Sequence, residues 1–477
     1  MAGDRTLLDG SNEKYGEIEM KRADLVVENA RVVTPIGIFE GGIAVEGGRI
    51  CAVAKDPLLP LADSVINAGK KILMPGAVDA HTHVYLPGFI KETFKTGTMA
   101  AAVGGTTTII EMPSTDTTTV KNFEERRKIA EGEAIVDFAL HSGEIQEERD
   151  TLEISGLVRA GTTGFKITMG GGSTAARHDG IILESFMEIG KTGSIAIVHA
   201  ENHQLYEHFR RKIAQEGRND PSAYSDSRPN IVEAEAISRA ILFARFAGNR
   251  LHIAHMTTKE GVELVRDAKD RGQPVTSEVT PQALLLNKND YLRYKHYIVY
   301  NPPARDEEDN LSLWNAINEK IVDCIVTDHC AYTKEEKDVG IKNILETPPG
   351  IPGLETKLTL MLSEGVNKGR ISLMKLVELC CESPAKIFGI FPRKGAIQVG
   401  SDADFLLVDI EKEDKISADK LRSVGEFTPF EGWRTKGWPV LTVVRGEVVA
   451  EDGEVVGKPG YGKFIPSSLA SREINDE

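Results

Sequence analysis

Met74-Pro-Gly-Ala-Val-Asp-Ala-His-Thr-His83 is the stretch on which the fold turns. Residues 77–80 are short, mostly apolar, and run directly into two histidines. A brief apolar run that stops at polar residues reads as a strand buried on both faces. His81 and His83 are two apart, so on extended backbone they point to one side. The same pattern returns along the chain, at residues 107–111, 135–140, 164–167, 195–198, 251–254, 275–279 and 324–327. Helical stretches lie between many of these strands, for example at 231–247 and 258–271. Repeated strand-then-helix units predict a parallel sheet in an α/β protein. Eight of them predict a closed (β/α)8 barrel, here over residues 77–390. An open doubly wound sheet is the alternative. It is weakened because no Gly-x-Gly-x-x-Gly opens a helix after the first strand.

Outward from the barrel, the texture changes. Residues 24–33 and 42–53 read as short strands with glycine-rich turns, and so do 404–409, 440–449 and 453–457. The two ends are therefore expected to complete one small β-sandwich domain, residues 24–76 with 391–465. A polar arm (1–23) and a tail (466–477) remain. Lysine and arginine number 57 against 72 aspartates and glutamates, a net charge of −15. That excludes a general binder of phosphate backbones, which needs clustered cations. No apolar run is long enough to span a membrane, and residues 1–22 hold no secretory core. The five cysteines lack any Cys-x-x-Cys pair, so a thiolate zinc knuckle is unsupported. A reducing, cytoplasmic setting is expected.

Catalytic groups of a (β/α)8 barrel sit at the C-terminal ends of its strands. Those ends carry His81, His83, Lys166, His199, His255 and Asp328. Singly, each has an ordinary explanation: a hydrogen-bonded core histidine, a snorkelling lysine, a helix-capping aspartate. Together they converge on one mouth. Four histidines and an aspartate suit divalent metal ions. A lysine amine is a poor bridge between cations, but its carbamate, formed with CO2, is a carboxylate. Two ions sharing a hydroxide would lower the pKa of water toward about 7. Asp328 could carry that hydroxide's proton to a leaving nitrogen.

With these residues, the chain resembles the amidohydrolase superfamily. Ala100-Ala-Ala-Val-Gly-Gly-Thr-Thr-Thr108, His199-Ala-Glu-Asn202, Asn301-Pro-Pro-Ala-Arg305, Pro384-Ala-Lys-Ile-Phe-Gly389 and Gly400-Ser-Asp-Ala-Asp404 narrow the resemblance. They are similar to its cyclic-amidase branch of hydantoinases, dihydropyrimidinases, allantoinases and dihydroorotases. The resemblance implies two divalent ions, zinc by default, and N6-carboxylation of Lys166 as the bridge. His81, His83 and Asp328 would hold the more buried ion, His199 and His255 the other. It implies a homotetramer as well. His252 matches no ligand position and reads as structural. His329 reads either as a packed loop residue or as support for the ligands.

Dihydroorotases typically follow His-x-His with Leu-Arg-Glu-Pro-Gly, whose arginine holds the substrate carboxylate. This chain has Val84-Tyr-Leu-Pro-Gly88, and losing a bidentate arginine is not conservative. Dihydroorotases also carry Met-Pro-Asn where this chain has Met112-Pro-Ser-Thr115. Hydantoin-type rings are therefore expected, with allantoin or dihydroorotate as alternatives. Asn301, Tyr85 and Thr168 are the candidate substrate contacts. The Gly170–Gly172 run is expected to be a mobile loop at the mouth. A reading of another class is a non-enzymatic assembly protein on this fold, but those lose ligands, whereas all six positions stand here.

Overall fold

The computed structural model describes residues 22–113, 117–170 and 178–469. Residues 1–21 of the arm expected at 1–23, residues 114–115, residues 171–172 of the glycine run and residues 470–477 lie outside the described residues, and Ala23 already belongs to the first strand. The described chain enters through β1 (Ala23–Thr34), β2 (Gly37–Glu46), β3 (Arg49–Ala54), β4 (Ala62–Asn67) and β5 (Ile72–Pro75). Only Gly76 separates β5 from the first barrel strand. A Cβ there would lie 2.0 Å from Thr107 Oγ1, so the Thr107 side chain packed against the backbone at this point leaves room only for glycine.

The eight expected strands form, with small shifts at their ends. They are β6 (Ala77–His83), β7 (Thr106–Glu111), β8 (Asp137–Leu140), β9 (Phe165–Thr168), β10 (Ile195–His199), β11 (Arg250–Ile253), β12 (Val275–Val279) and β13 (Cys324–Ile325). Beyond a kink, β13 resumes as β14 (His329–Cys330). β6, β7 and β8 pair in parallel, and so do β9 through β13. Two seams close the ring. The Ser142 amide donates to the Gly164 carbonyl at 2.9 Å and the Lys166 amide to the Ser142 carbonyl at 2.8 Å. On the other side, β14 pairs with β6.

Val78, Ala80, Ile110, Ala139, Ile197 and Val326 share one buried cluster. Ala385, Phe388 and Ile390, in and after the helix Ser383–Ile387, belong to it too. The Phe388 ring lies 4.9 Å from His141 and 5.2 Å from His252, so it fills the barrel beneath the histidines. Helices return the chain between strands. They start where the sequence supplies caps: Thr258 accepts from the Gly261 amide and Asn202 from the Leu205 amide.

The tail then completes what the head began. β15 (Phe405–Lys415) pairs antiparallel with β5, and β16 (Arg434–Val444), β17 (Glu447–Glu451) and β18 (Glu454–Val455) follow. The ladder runs unbroken in the order β18-β17-β16-β15-β5-β1-β2-β3, with β4 on β1. Val27, Ile43, Leu73, Phe405, Leu407 and Val443 form the core of this β-rich layer.

Candidate active site

The six strand-end residues meet at one mouth. His81 Nε2 and His83 Nε2 lie 3.2 and 3.4 Å from Asp328 Oδ1. Lys166 Nζ lies 3.5 Å from His81 Nε2. His199 Nδ1 and His255 Nε2 are 3.0 Å apart, and the His81 and His255 ring centroids are separated by 5.1 Å. Two of the six sit on unusual backbone: φ is 31° at His255 and 49° at Asp328. Left-handed conformations are uncommon outside glycine and cluster at functional sites. At Asp328 the turn is the kink between β13 and β14, and it aims the carboxylate into the mouth.

Burial sets the protonation states. It holds the His81 and His255 imidazoles well below the usual histidine range, helped at His81 by Lys166 and at His255 by His199. Neutral rings have free lone pairs for a cation. Burial also lowers the Lys166 ammonium, against the pull of Glu144, Asp328 and Glu278. For Asp328, burial pushes upward, but His81, His83 and Lys166 outweigh it and the carboxyl stays low.

Carboxylates behind the rings orient them. His81 Nδ1 contacts Glu278, which leaves Nε2 facing the mouth. His199 Nε2 is 2.8 Å from Glu201, which leaves Nδ1 inward. Glu201 is itself held by Arg228 at 2.6 Å. A ring nitrogen committed to a carboxylate is the arrangement that presents the other nitrogen to a metal. His81, His83 and Asp328 bring their ligand atoms within 4.8 Å of one another. The donor set therefore fits divalent cations.

Neither Glu278 nor Glu201 was singled out in the sequence reading. Glu278 lies on β12, which supplies no expected ligand although both its neighbours, β11 and β13, lead into one, and that gap was the available signal. Glu201 stands two residues past His199, within the quoted His-Ala-Glu-Asn motif. His252 serves Glu278 from behind, at 3.0 Å, and Thr276 at 2.8 Å. His329 packs on Glu92 at 2.6 Å and accepts from the Gly353 amide.

A cavity of about 200 Å³ opens above these groups. Its walls include Leu86, Glu144, Thr168, Asn301, Cys330, Tyr332, Pro349 and Gly350. The candidate contacts Thr168 and Asn301 both line this cavity, and the Asn301 side-chain carbonyl accepts from the Tyr224 hydroxyl at 2.7 Å. Tyr85, the third candidate substrate contact, is half-buried and is not among the residues that line this cavity. Its ring stacks on Phe94 at 5.5 Å and packs under Arg126 at 4.6 Å, because the apolar face finds a better site in the core. Leu86, the next residue, faces the cavity instead. Glu144, whose Oε2 has no hydrogen-bond partner among the described residues, carries no sequence signal, since it lies in the loop after β8 with no motif around it.

The closed barrel and the polar cluster at the C-terminal ends of its strands define a (β/α)8-barrel enzyme. The amidohydrolase family model matches residues 72–449, and the chain belongs to that family. It is 42% identical to the L-hydantoinase of Paenarthrobacter aurescens over 450 residues, 93% of this chain and 98% of that one. The dihydroorotase of Methanothermobacter thermautotrophicus is 35% identical over 93% of this chain and 97% of its own. Among solved structures, the L-hydantoinase from Arthrobacter aurescens superposes with a TM-score of 0.90 at 41% identity, covering 93% of this chain and all of its own. The D-hydantoinase from Thermus sp. gives 0.89 at 31%, covering 94% and 99%.

Proposed function

We propose that the protein hydrolyses the ring amide C–N bond of hydantoin-type and dihydropyrimidine-type cyclic amides. The convergence of four imidazoles, one lysine and one aspartate on a single small cavity carries this reading. Hydantoinase relatives of nearly equal length support it. His81, His83 and Asp328 would hold one divalent ion, His199 and His255 a second, with Lys166 between them as its N6-carbamate. When bound, such ions supply Lewis acidity toward the ring carbonyl and acidify water at the site. The buried Lys166 amine is suited to carboxylation, since the neutral form is the one that adds CO2. Zinc is the default ion for imidazole and carboxylate donors.

Asp328, set between His81 and His83, takes a proton from the attacking water and returns it to the departing ring nitrogen. The hydroxyl joins the carbonyl carbon and the C–N bond breaks, so a hydantoin becomes an N-carbamoyl amino acid. Thr168 and the Asn301 backbone satisfy the ring's polar edges. No arginine is found among the described residues that line the cavity. That favours an uncharged ring over dihydroorotate, whose carboxylate needs a cation. The wider reading is a cytoplasmic homotetramer. Five free cysteines support a reducing setting, and the family resemblance supports the tetramer. Among the described residues no helix is long and apolar enough to cross a membrane.

The test is a hydrolysis panel on protein supplied with zinc and bicarbonate. It contains hydantoin, both hands of 5-substituted hydantoins, dihydrouracil, allantoin and dihydroorotate. Hydantoins or dihydrouracil should turn over. Turnover of dihydroorotate alone would overturn the substrate class, and no turnover of any ring by metal-loaded protein would favour the assembly-protein reading.

A further inference from the structure

Lys337 closes the short helix Lys334–Lys337, a few residues after the cavity residues Cys330 and Tyr332. Its side chain is fully buried. Among the described residues no carboxylate pairs with it. Its Nζ donates instead to three backbone carbonyls: Val299 at 2.8 Å, Pro348 at 2.8 Å and Gly350 at 2.9 Å. Those carbonyls belong to two separate segments. One runs into Asn301, and the other contains Pro349 and Gly350. All three of these residues line the cavity.

The two segments are also joined directly. The Gly350 amide donates to the Val299 carbonyl at 3.0 Å, and the Cys330 amide to the Ile351 carbonyl at 3.1 Å. Gly350 has φ +150°, and a Cβ there would meet the Cys330 carbonyl at 2.7 Å. The wall is therefore tight, and Lys337 stands behind it at the point where its segments meet.

Burying a cation without a counter-ion is costly to the fold, so its hydrogen bonds must offset that cost. What the lysine adds is three convergent donors. Three carbonyls within 2.9 Å match the three N–H groups of an ammonium and not the two of a neutral amine. Burial works against this, pushing the Lys337 pKa down to about 7. The groups facing it do not supply opposite charge: the Tyr332 and Phe427 rings at 6.0 and 5.9 Å, and the Cys330 thiol, itself kept protonated by burial.

We propose that Lys337 is a positioning residue for the ring hydrolysis: its three hydrogen bonds fix the 299–301 and 348–350 backbone against which the substrate ring docks. The inference rests on the hydrolase reading above. It places Lys337 in substrate binding, through the wall, and not in the chemical step.

The test compares zinc-loaded wild type with Lys337→Met, which keeps length and loses all donors, and with Lys337→Gln, which keeps two. Hydantoin is the probe. For the Met variant, KM should rise at least tenfold, with kcat within threefold and zinc content equal to wild type. The Gln variant should fall between, and carries the test if the Met variant does not fold. Wild-type KM should also climb between pH 7 and 9, as the third donor is lost, while the Met variant's KM stays flat. Equal losses in kcat and zinc would mark a structural role and overturn the proposal, as would an unchanged KM. Wild type that fails to hydrolyse hydantoin refutes the underlying reading, a result distinct from either.

Discussion

Lys166 is the only lysine or arginine among the described residues lining the cavity, and burial lowers its pKa from the usual lysine range. As the proposed bridge it has no substitute nearby. Lys166→Ala should lose most of its bound metal, and activity should fall by at least about 100-fold; elemental analysis showing full metal occupancy would remove the bridge. Asp328→Ala should retain part of its metal yet lose roughly 10²–10⁴-fold in kcat, the usual scale for a positioned acid–base group. Near-normal turnover would end its role as proton carrier. Glu278→Gln replaces the carboxylate that sets His81 and His252 with an amide that has one acceptor and no charge. Metal affinity should drop about 10–100-fold, as for other residues that orient ligands, measured by competition with a chelator. His81, His83, His199 and His255 were legible because each ends an apolar run, and that position has a meaning in a barrel. The stacking of Tyr85 on Phe94 was not legible, because sequence shows that a residue follows a strand, not which way its ring turns. Glu278 and Glu201 were passed over because their work is done on other side chains.

Strands survive translation from sequence to structure best, because a barrel strand must be apolar on both faces and short. The break between β13 and β14 did not show in the sequence. It depends on a left-handed Asp328, which aspartate tolerates but does not announce. The same strand ends are held together by Asp79. Its Oδ1 accepts from the Thr327 and His81 amides, and its Oδ2 pairs with Lys357 at 2.9 Å, all fully buried. β6, the end of β13 and the helix Lys357–Leu360 thus share one ion pair. Lys357→Met leaves the Asp79 carboxylate buried and unpaired. Urea denaturation should show a loss of about 3–5 kcal/mol, the cost of breaking a buried pair from one side. A loss below about 1 kcal/mol, the scale of an exposed pair, would mean that water reaches Asp79.

For the whole molecule, the decisive joint is between the barrel and the nine-stranded sheet. That both ends of the chain would build one β-rich layer was readable from their strand texture. The joint itself was not, because its members are ordinary charged residues until closure brings them together. Lys394, fully buried, contacts Asp137 at 2.5 Å, Asp404 at 2.6 Å and Asp402 at 3.0 Å. Asp137 opens β8 of the barrel and also binds the Arg445 guanidinium from the outer sheet. Against the upward pull of burial, Lys394 and Arg393 hold Asp402 below the usual carboxylate range, whereas burial keeps Asp404 raised even so. Lys394→Met removes the central cation, so Asp404 should rise further above its unfolded pKa of about 3.9, and Asp402, which keeps Arg393, should rise from its lowered value. A group with a raised folded pKa contributes stability below its unfolded pKa and loses it as pH rises through the folded one. The variant's deficit should therefore be about 3–5 kcal/mol at pH 7 and shrink as pH falls toward about 4. Urea midpoints at pH 5 and pH 7.5 would measure it. A deficit that stays constant across that range would show that Lys394 acts by packing, with its stem, and that the charges at the joint are neutralised by Arg445 and solvent instead.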